Sequence, residues 1–117
     1  MPSNQFTRVE KLVGDCEDWQ AVTFENSWVN FGGSFAEAAY YKDPFNHVHI
    51  KGVVKSGTLD ATVFTLPEGY RPSEALIFST EENGGNSVRL DITTGGAVST
   101  SNAASSVFLT LQVNFRV

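Results

Sequence analysis

The chain reads as an all-β domain, and three features predict this. From Trp19 onward, apolar and polar residues alternate with a period of two. Gly, Asn, Asp and Ser interrupt that alternation at short intervals. The only helical spacing, Phe6, Val9 and Val13, fills a single heptad. Strands are expected near residues 21–24, 28–31, 39–42, 47–55, 59–66, 75–80, 87–93, 97–100 and 106–116. Many short strands joined by frequent turns indicate a β-sandwich or barrel.

Each element has a local reason. The entry, Trp19 to Phe31, carries ring and β-branched residues broken by Glu25-Asn26-Ser27. In His47-Val48-His49-Ile50, the apolar pair takes one face of the strand and the two imidazoles the other. The segment Leu66-Pro67-Glu68-Gly69-Tyr70-Arg71-Pro72 is a rigid corner. Its two prolines hold φ near about −65° and push Leu66 and Arg71 toward extended backbone. Gly69 supplies the position able to take positive φ. Glu81 to Asn86 reads as a hairpin loop, Thr93-Thr94-Gly95-Gly96 as a tight turn, and Ser99 to Ser106 as a loop of small residues. The last strand alternates most cleanly, with Val107, Leu109, Leu111, Val113 and Phe115 on one face. Phe64, Phe108 and Val53 fall opposite the expected core, so they are assigned to a second subunit or to sheet-on-sheet packing.

At 117 residues, with 41% apolar and 18% charged side chains, the composition fits one globular domain. The reading divides it into a polar leader or end of a stalk, residues 1–18, and a β-sandwich head, residues 19–117. A net charge of −5 and the lack of any basic stripe argue against nucleic-acid binding. No stretch approaches the ~18–20 apolar residues needed to cross a bilayer, so membrane insertion is not expected. The lone Cys16, beside Asp15, Glu17 and Asp18, permits no intrachain disulfide and is poorly placed for a thiolate.

A set of residues carries a resemblance. Trp19, Trp28, Tyr41, Lys42, Asp43, Val48, Ile50, Gly52, Val54, Gly57 and Leu66 through Pro72 match a recurrent order. It comprises a tryptophan-rich entry, a Lys-Asp turn, a V-x-(L/I)-x-G-x-V-x-x-G strand and L-P-x-G-Y-R-P. Val88 to Ile92, Gly95 to Val98 and the run from Val107 to Phe115 continue it. This pattern resembles the C-terminal head domain of phage tail-fibre and receptor-binding proteins, over roughly residues 19–117. The resemblance implies a jelly-roll-like homotrimer at a tail-fibre or baseplate tip of a virion, binding a bacterial cell-surface glycan without catalysis or cofactor. Where many relatives have Gly before the V-x-(L/I) strand, this chain has Asn46, which also tolerates the left-handed region.

Saccharides offer apolar C–H faces to aromatic rings and hydroxyls to planar polar groups. Trp28, Tyr40, Tyr41, Asp43, Asn46 and His47 supply both kinds of partner and are the expected ligand-binding residues. Each ring has a competing place in the core or a subunit interface. The loops at residues 81–86 and 99–106 are the other candidate locations. Tyr70 and Arg71 are expected to brace the corner, Arg71 by bonding nearby carbonyls or a carboxylate. His47 and His49 share a strand face and could ligate a metal, although no carboxylate lies at ligand spacing on that strand. Asp43 with Asp91, Glu68 or Glu74 is a weak candidate for a glycosidase pair, since acids beside turns are ordinarily solvated. Two further readings stay open: a purely structural trimeric tail component, and a small polysaccharide-cleaving enzyme.

Overall fold

The computed structural model describes residues 17–104 and 106–117, so the expectations for residues 1–16, Cys16 included, lie outside the described residues. Eleven strands are described: β1 (Gln20–Ala21), β2 (Val29–Asn30), β3 (Ala39–Lys42), β4 (His47–Lys51), β5 (Val53–Lys55), β6 (Phe64–Thr65), β7 (Leu76–Glu82), β8 (Asn86–Ile92), β9 (Ala97–Ser101), β10 (Leu109–Thr110) and β11 (Val113–Arg116). They form two antiparallel sheets. One has four strands in the order β1-β3-β4-β11, and the other has seven in the order β2-β5-β10-β7-β8-β9-β6.

The two sheets are joined by one bent ribbon. β4 pairs with β11 and β5 with β10, so each of the two long strands expected from the sequence is divided between the sheets. The register does not change across the division: Leu109 lies opposite Val54, and Val113 lies opposite Ile50, in one continuous count. The bend falls at Gly52, whose φ is +142° and whose carbonyl accepts the amide of Leu111 at 2.9 Å. A Cβ on Gly52 would come within 2.6 Å of the Ala38 Cα, so no other residue fits this crossing without moving the backbone.

Because the period of two survives the bend, Val48, Ile50, Val54, Leu109, Leu111, Val113 and Phe115 all point into a single core shared by both sheets. The seven-stranded sheet adds Phe64, Val88, Leu90, Ile92 and Val98, and Leu66 joins them just past β6. Phe64, expected opposite the core, is instead fully buried within it. The reason is local. The expected strand at residues 59–66 is mostly turn, with Asp60 at a φ of +61°, and only Phe64–Thr65 is extended. Asp60 is held in that turn by Thr100 Oγ1 at 3.3 Å and the Ala103 amide at 3.0 Å, which resets the phase of residues 61–66.

Val53 and Phe108 do lie on the outer face, as expected, and are half-buried there. They line an apolar groove with Phe31, Phe35 and Val107. Phe31 meets Phe35 edge-on at 5.1 Å, and Lys55 Nζ sits 5.4 Å from the Phe31 ring centre. Phe35 and Val107 are each 56% exposed, an unusual cost for large apolar residues so close together.

The corner behaves as its residues require. The Tyr70 amide bonds the Pro67 carbonyl at 3.2 Å, and Gly69 between them has a φ of +89°. Arg71 Nε donates to the Leu66 carbonyl at 2.8 Å. Two glycines therefore matter for different physical reasons. Gly69 has room for a Cβ, which would meet only Lys42 Nζ at 3.9 Å, and is fixed by conformation, so Gly69→Val should cost about 1–3 kcal/mol through backbone strain. Gly57 is fixed by volume, because a Cβ there would overlap the Trp28 indole; Gly57→Ala should cost about 3 kcal/mol by displacing that ring. Urea unfolding of both variants checks this, and an unchanged midpoint for either would contradict its assigned reason.

Candidate functional site

The hairpin joining β3 to β4 is organised by one carboxylate. Its connection, Asp43-Pro44-Phe45-Asn46, closes with the Asn46 amide on the Asp43 carbonyl at 3.1 Å and the Asp43 amide on the His47 carbonyl at 2.9 Å. Asn46 takes a φ of +65°, the conformation that glycine would otherwise supply. Asp43 Oδ1 accepts the amides of Phe45 at 2.8 Å and His47 at 3.0 Å, and Oδ2 lies 2.9 Å from His49 Nε2. The His49 contact is the largest influence in holding the Asp43 pKa below the ordinary carboxylate value. Burial works against it, and the His47 and Phe45 amides assist it.

From this anchor a row of rings runs across the outer face of the four-stranded sheet. His49 stacks on Tyr41, with ring centres 4.8 Å apart and planes 12° from parallel. Tyr41 meets Trp19 edge-on at 4.6 Å, and Lys51 Nζ lies 4.6 Å from the Trp19 ring centre. His47 lies on the same face, 6.3 Å from His49. Asn114 and Arg116 of β11 stand opposite His49 and His47 in the register. This face therefore presents aromatic surface beside amide, imidazole, carboxylate and guanidinium groups, a set suited to recognising a polyhydroxylated ligand.

Of the six residues expected to bind ligand, Tyr41, Asp43, Asn46 and His47 come together on or beside this hairpin. Trp28 and Tyr40 do not. Trp28 is 1% exposed and lies in the core, with no hydrogen-bond partner for Nε1 among the described residues. Tyr40 alternates inward from Tyr41, stacking over Phe64 at 6.4 Å and meeting Tyr70 edge-on at 5.2 Å. The expectation that both rings share a surface with Asp43 is therefore corrected. Strand parity turns Tyr40 away from the surface of Tyr41 and Asp43, because adjacent residues in a strand face opposite sides, and Trp28 is drawn into the core by the space left at Gly57. Sequence reasoning assigned Trp19 and Lys51 no role in this face and considered His49 only as a metal ligand. The same period-two rule, carried on from His47 and His49, would have placed Lys51 there. His49 Nε2 faces Asp43, and among the described residues no group of three or more His, Cys, Asp or Glu is placed to hold a metal ion.

The corner braces the opposite face of β3. Tyr70 Oη donates to the Glu17 carboxylate at 2.8 Å, Gln20 Nε2 donates to Glu17 at 2.7 Å, and the Lys42 amide donates to it at 3.1 Å. Burial is the largest single influence on Glu17 and acts to raise its pKa. The hydrogen bonds from Tyr70, Lys42 and Gln20, with the Lys42 charge, together outweigh it and leave the pKa lowered. Burial first, and then the bond to Glu17, raise the Tyr70 phenol. Lys42 Nζ completes the brace by donating to the Gly69 carbonyl at 2.9 Å. Tyr70 and Arg71 are thus engaged within the fold, as expected.

The remaining candidate positions lie apart from this face. Asp91 is on β8 in the other sheet, bonded to Arg89 Nε at 2.7 Å, whereas Asp43 serves its own turn. The Ala104 amide of the small-residue loop donates to buried Glu82 of β7 at 2.9 Å. No family model matches the chain, and no curated protein matches it. Among solved structures, the crystal structure of the receptor binding protein gp15 of Listeria phage PSA has the same fold. It matches 98% of this chain and 79% of that one, at a TM-score of 0.63 and 17% sequence identity.

Asp43 gives a pH test of the hairpin. Since its folded pKa is lowered, its stabilisation is present above the unfolded value of about 3.9 and is lost as the pH falls through the folded value. The stability difference between the parent and Asp43→Asn should therefore be about 1 kcal/mol at pH 7 and shrink toward pH 3. Denaturant unfolding at both pH values checks this, and a difference independent of pH would contradict it.

Proposed function

We propose that the domain is the receptor-binding head of a phage tail fibre or baseplate tip, adhering to a bacterial cell-surface saccharide without catalysis. The observation that carries this reading is the ring row on the outer face of the four-stranded sheet, in a chain that shares nearly its whole fold with a phage receptor-binding protein. Tyr41 and His49 add a stacked ring pair to this face as apolar surface beside a sugar, while Asp43, Asn46, His47 and Arg116 offer hydrogen-bonding groups around them.

The reading includes a jelly-roll-like homotrimer, with residues 1–18 as a leader or the end of a stalk. The apolar groove of Phe31, Phe35, Val53, Val107 and Phe108 lies on the other sheet, so subunits meeting there would leave the ring face open. Several heads per particle would multiply a weak single-site affinity. The same groove also suits a purely structural tail component, and adsorption to cells separates the two.

Two measurements test the reading. Light scattering should give about 38 kDa, three chains of 12.7 kDa, and a monomer at micromolar concentration would contradict the trimer. Tyr41→Ala and His47→Ala should each weaken adsorption to host cells by about 1–3 kcal/mol while leaving the fold intact. Adsorption equal to the parent in both would move the site to the loops at residues 81–86 or 99–106.

A further inference from the structure

We infer that a depression on the same face, walled by Trp19, Lys51 and Glu37 over a floor of Ala21 and Ala39, is a subsite for one pyranose ring. The inference rests on the saccharide reading above but concerns residues outside the hairpin. Its floor exists because the two strands there carry the smallest side chains on the face. Ala21 and Ala39 are direct register partners, whereas two residues further along β3 the surface is filled by Tyr41. Ala38 is buried beneath it, and the bend at Gly52 packs against Ala38 from behind.

The wall is suited to a sugar. Trp19 is 43% exposed although it is an indole, and its edge contact with Tyr41 holds its plane before any ligand arrives. Pre-set aromatic surface binds with less ordering cost than a free side chain. Lys51, already over the Trp19 ring, supplies donors, and exposed Glu37 supplies acceptors, the two polarities that a ring of hydroxyls needs. The depression encloses about 240 Å³. That is below the roughly 300–1,000 Å³ of sites that bury drug-sized ligands, which favours one ring over an oligosaccharide.

The chain's two tryptophans make this measurable, because Trp28 is 1% exposed and Trp19 is the accessible fluorophore. Intact protein is titrated with glucose, galactose, mannose and N-acetylglucosamine while indole emission is followed. At least one sugar should give a saturable change. Ala21→Leu, which fills the floor at an exposed position, should weaken it at least tenfold, and Glu37→Gln several-fold. Ser79→Ala, on the other sheet, should leave it unchanged. No saturable change with any of the four sugars, or a parent-like titration in Ala21→Leu, overturns the subsite. Cell adsorption read in parallel keeps the two readings apart. If the parent adsorbs and Ala21→Leu adsorbs equally, the subsite fails and the adhesion reading stands. If the parent does not adsorb but the sugar titration saturates and depends on Ala21, adhesion fails and the subsite stands.

Discussion

The crossing at Gly52 is the constraint on which the rest of the structure depends. One antiparallel ribbon, residues 47–55 against 109–116, passes from the four-stranded to the seven-stranded sheet without losing register. A side chain at the bend would strike the backbone at Ala38, so the crossing is available only to glycine. Since parity is kept, everything odd-numbered on residues 47–55 faces outward and Val48, Ile50 and Val54 face the core. The ribbon thus shows His47, His49 and Lys51 on one side of the bend and Val53 and Lys55 on the other. A single phase decision separates a polar ring face from an apolar groove.

That separation makes division of labour physically reasonable. The ring face is anchored by a carboxylate that bonds two turn amides and an imidazole, so its geometry is set by interactions internal to the hairpin. On the inner side of β3, the corner holds Glu17, Tyr70, Lys42 and Gln20 in one hydrogen-bonded group. Side chains held by such networks lose little freedom when a ligand arrives. The apolar groove is built instead from large apolar side chains, two of which, Phe35 and Val107, are more than half exposed.

Much of this was legible in the sequence because period-two alternation and turn chemistry are local. β3 falls where expected, the corner closes around Gly69, and Asn46 adopts the left-handed conformation in place of glycine. The failures share a cause. Residues 59–66 alternate like a strand, but Asp60 finds partners in Thr100 and Ala103, some forty positions away, and the segment turns instead. Trp28 is open in the sequence to either a sugar-stacking or a core place, and the volume vacated by Gly57 puts it in the core. Tyr40 and Tyr41 are alike in the sequence, and which of them faces inward depends on pairing with Ile50 and His49. Pairing across distant strands is what a single sequence does not print.

The central claim is that ligand is recognised by the outer face of the four-stranded sheet. The most direct measurement is a two-dimensional NMR titration of labelled protein with solubilised host cell-wall saccharide. Recognition on this face predicts resonance changes concentrated at Trp19, Tyr41, residues 43–51, Asn114 and Arg116. Changes concentrated instead on the outer face of β7 and β8, or on the loops at residues 81–86 and 99–106, would contradict it.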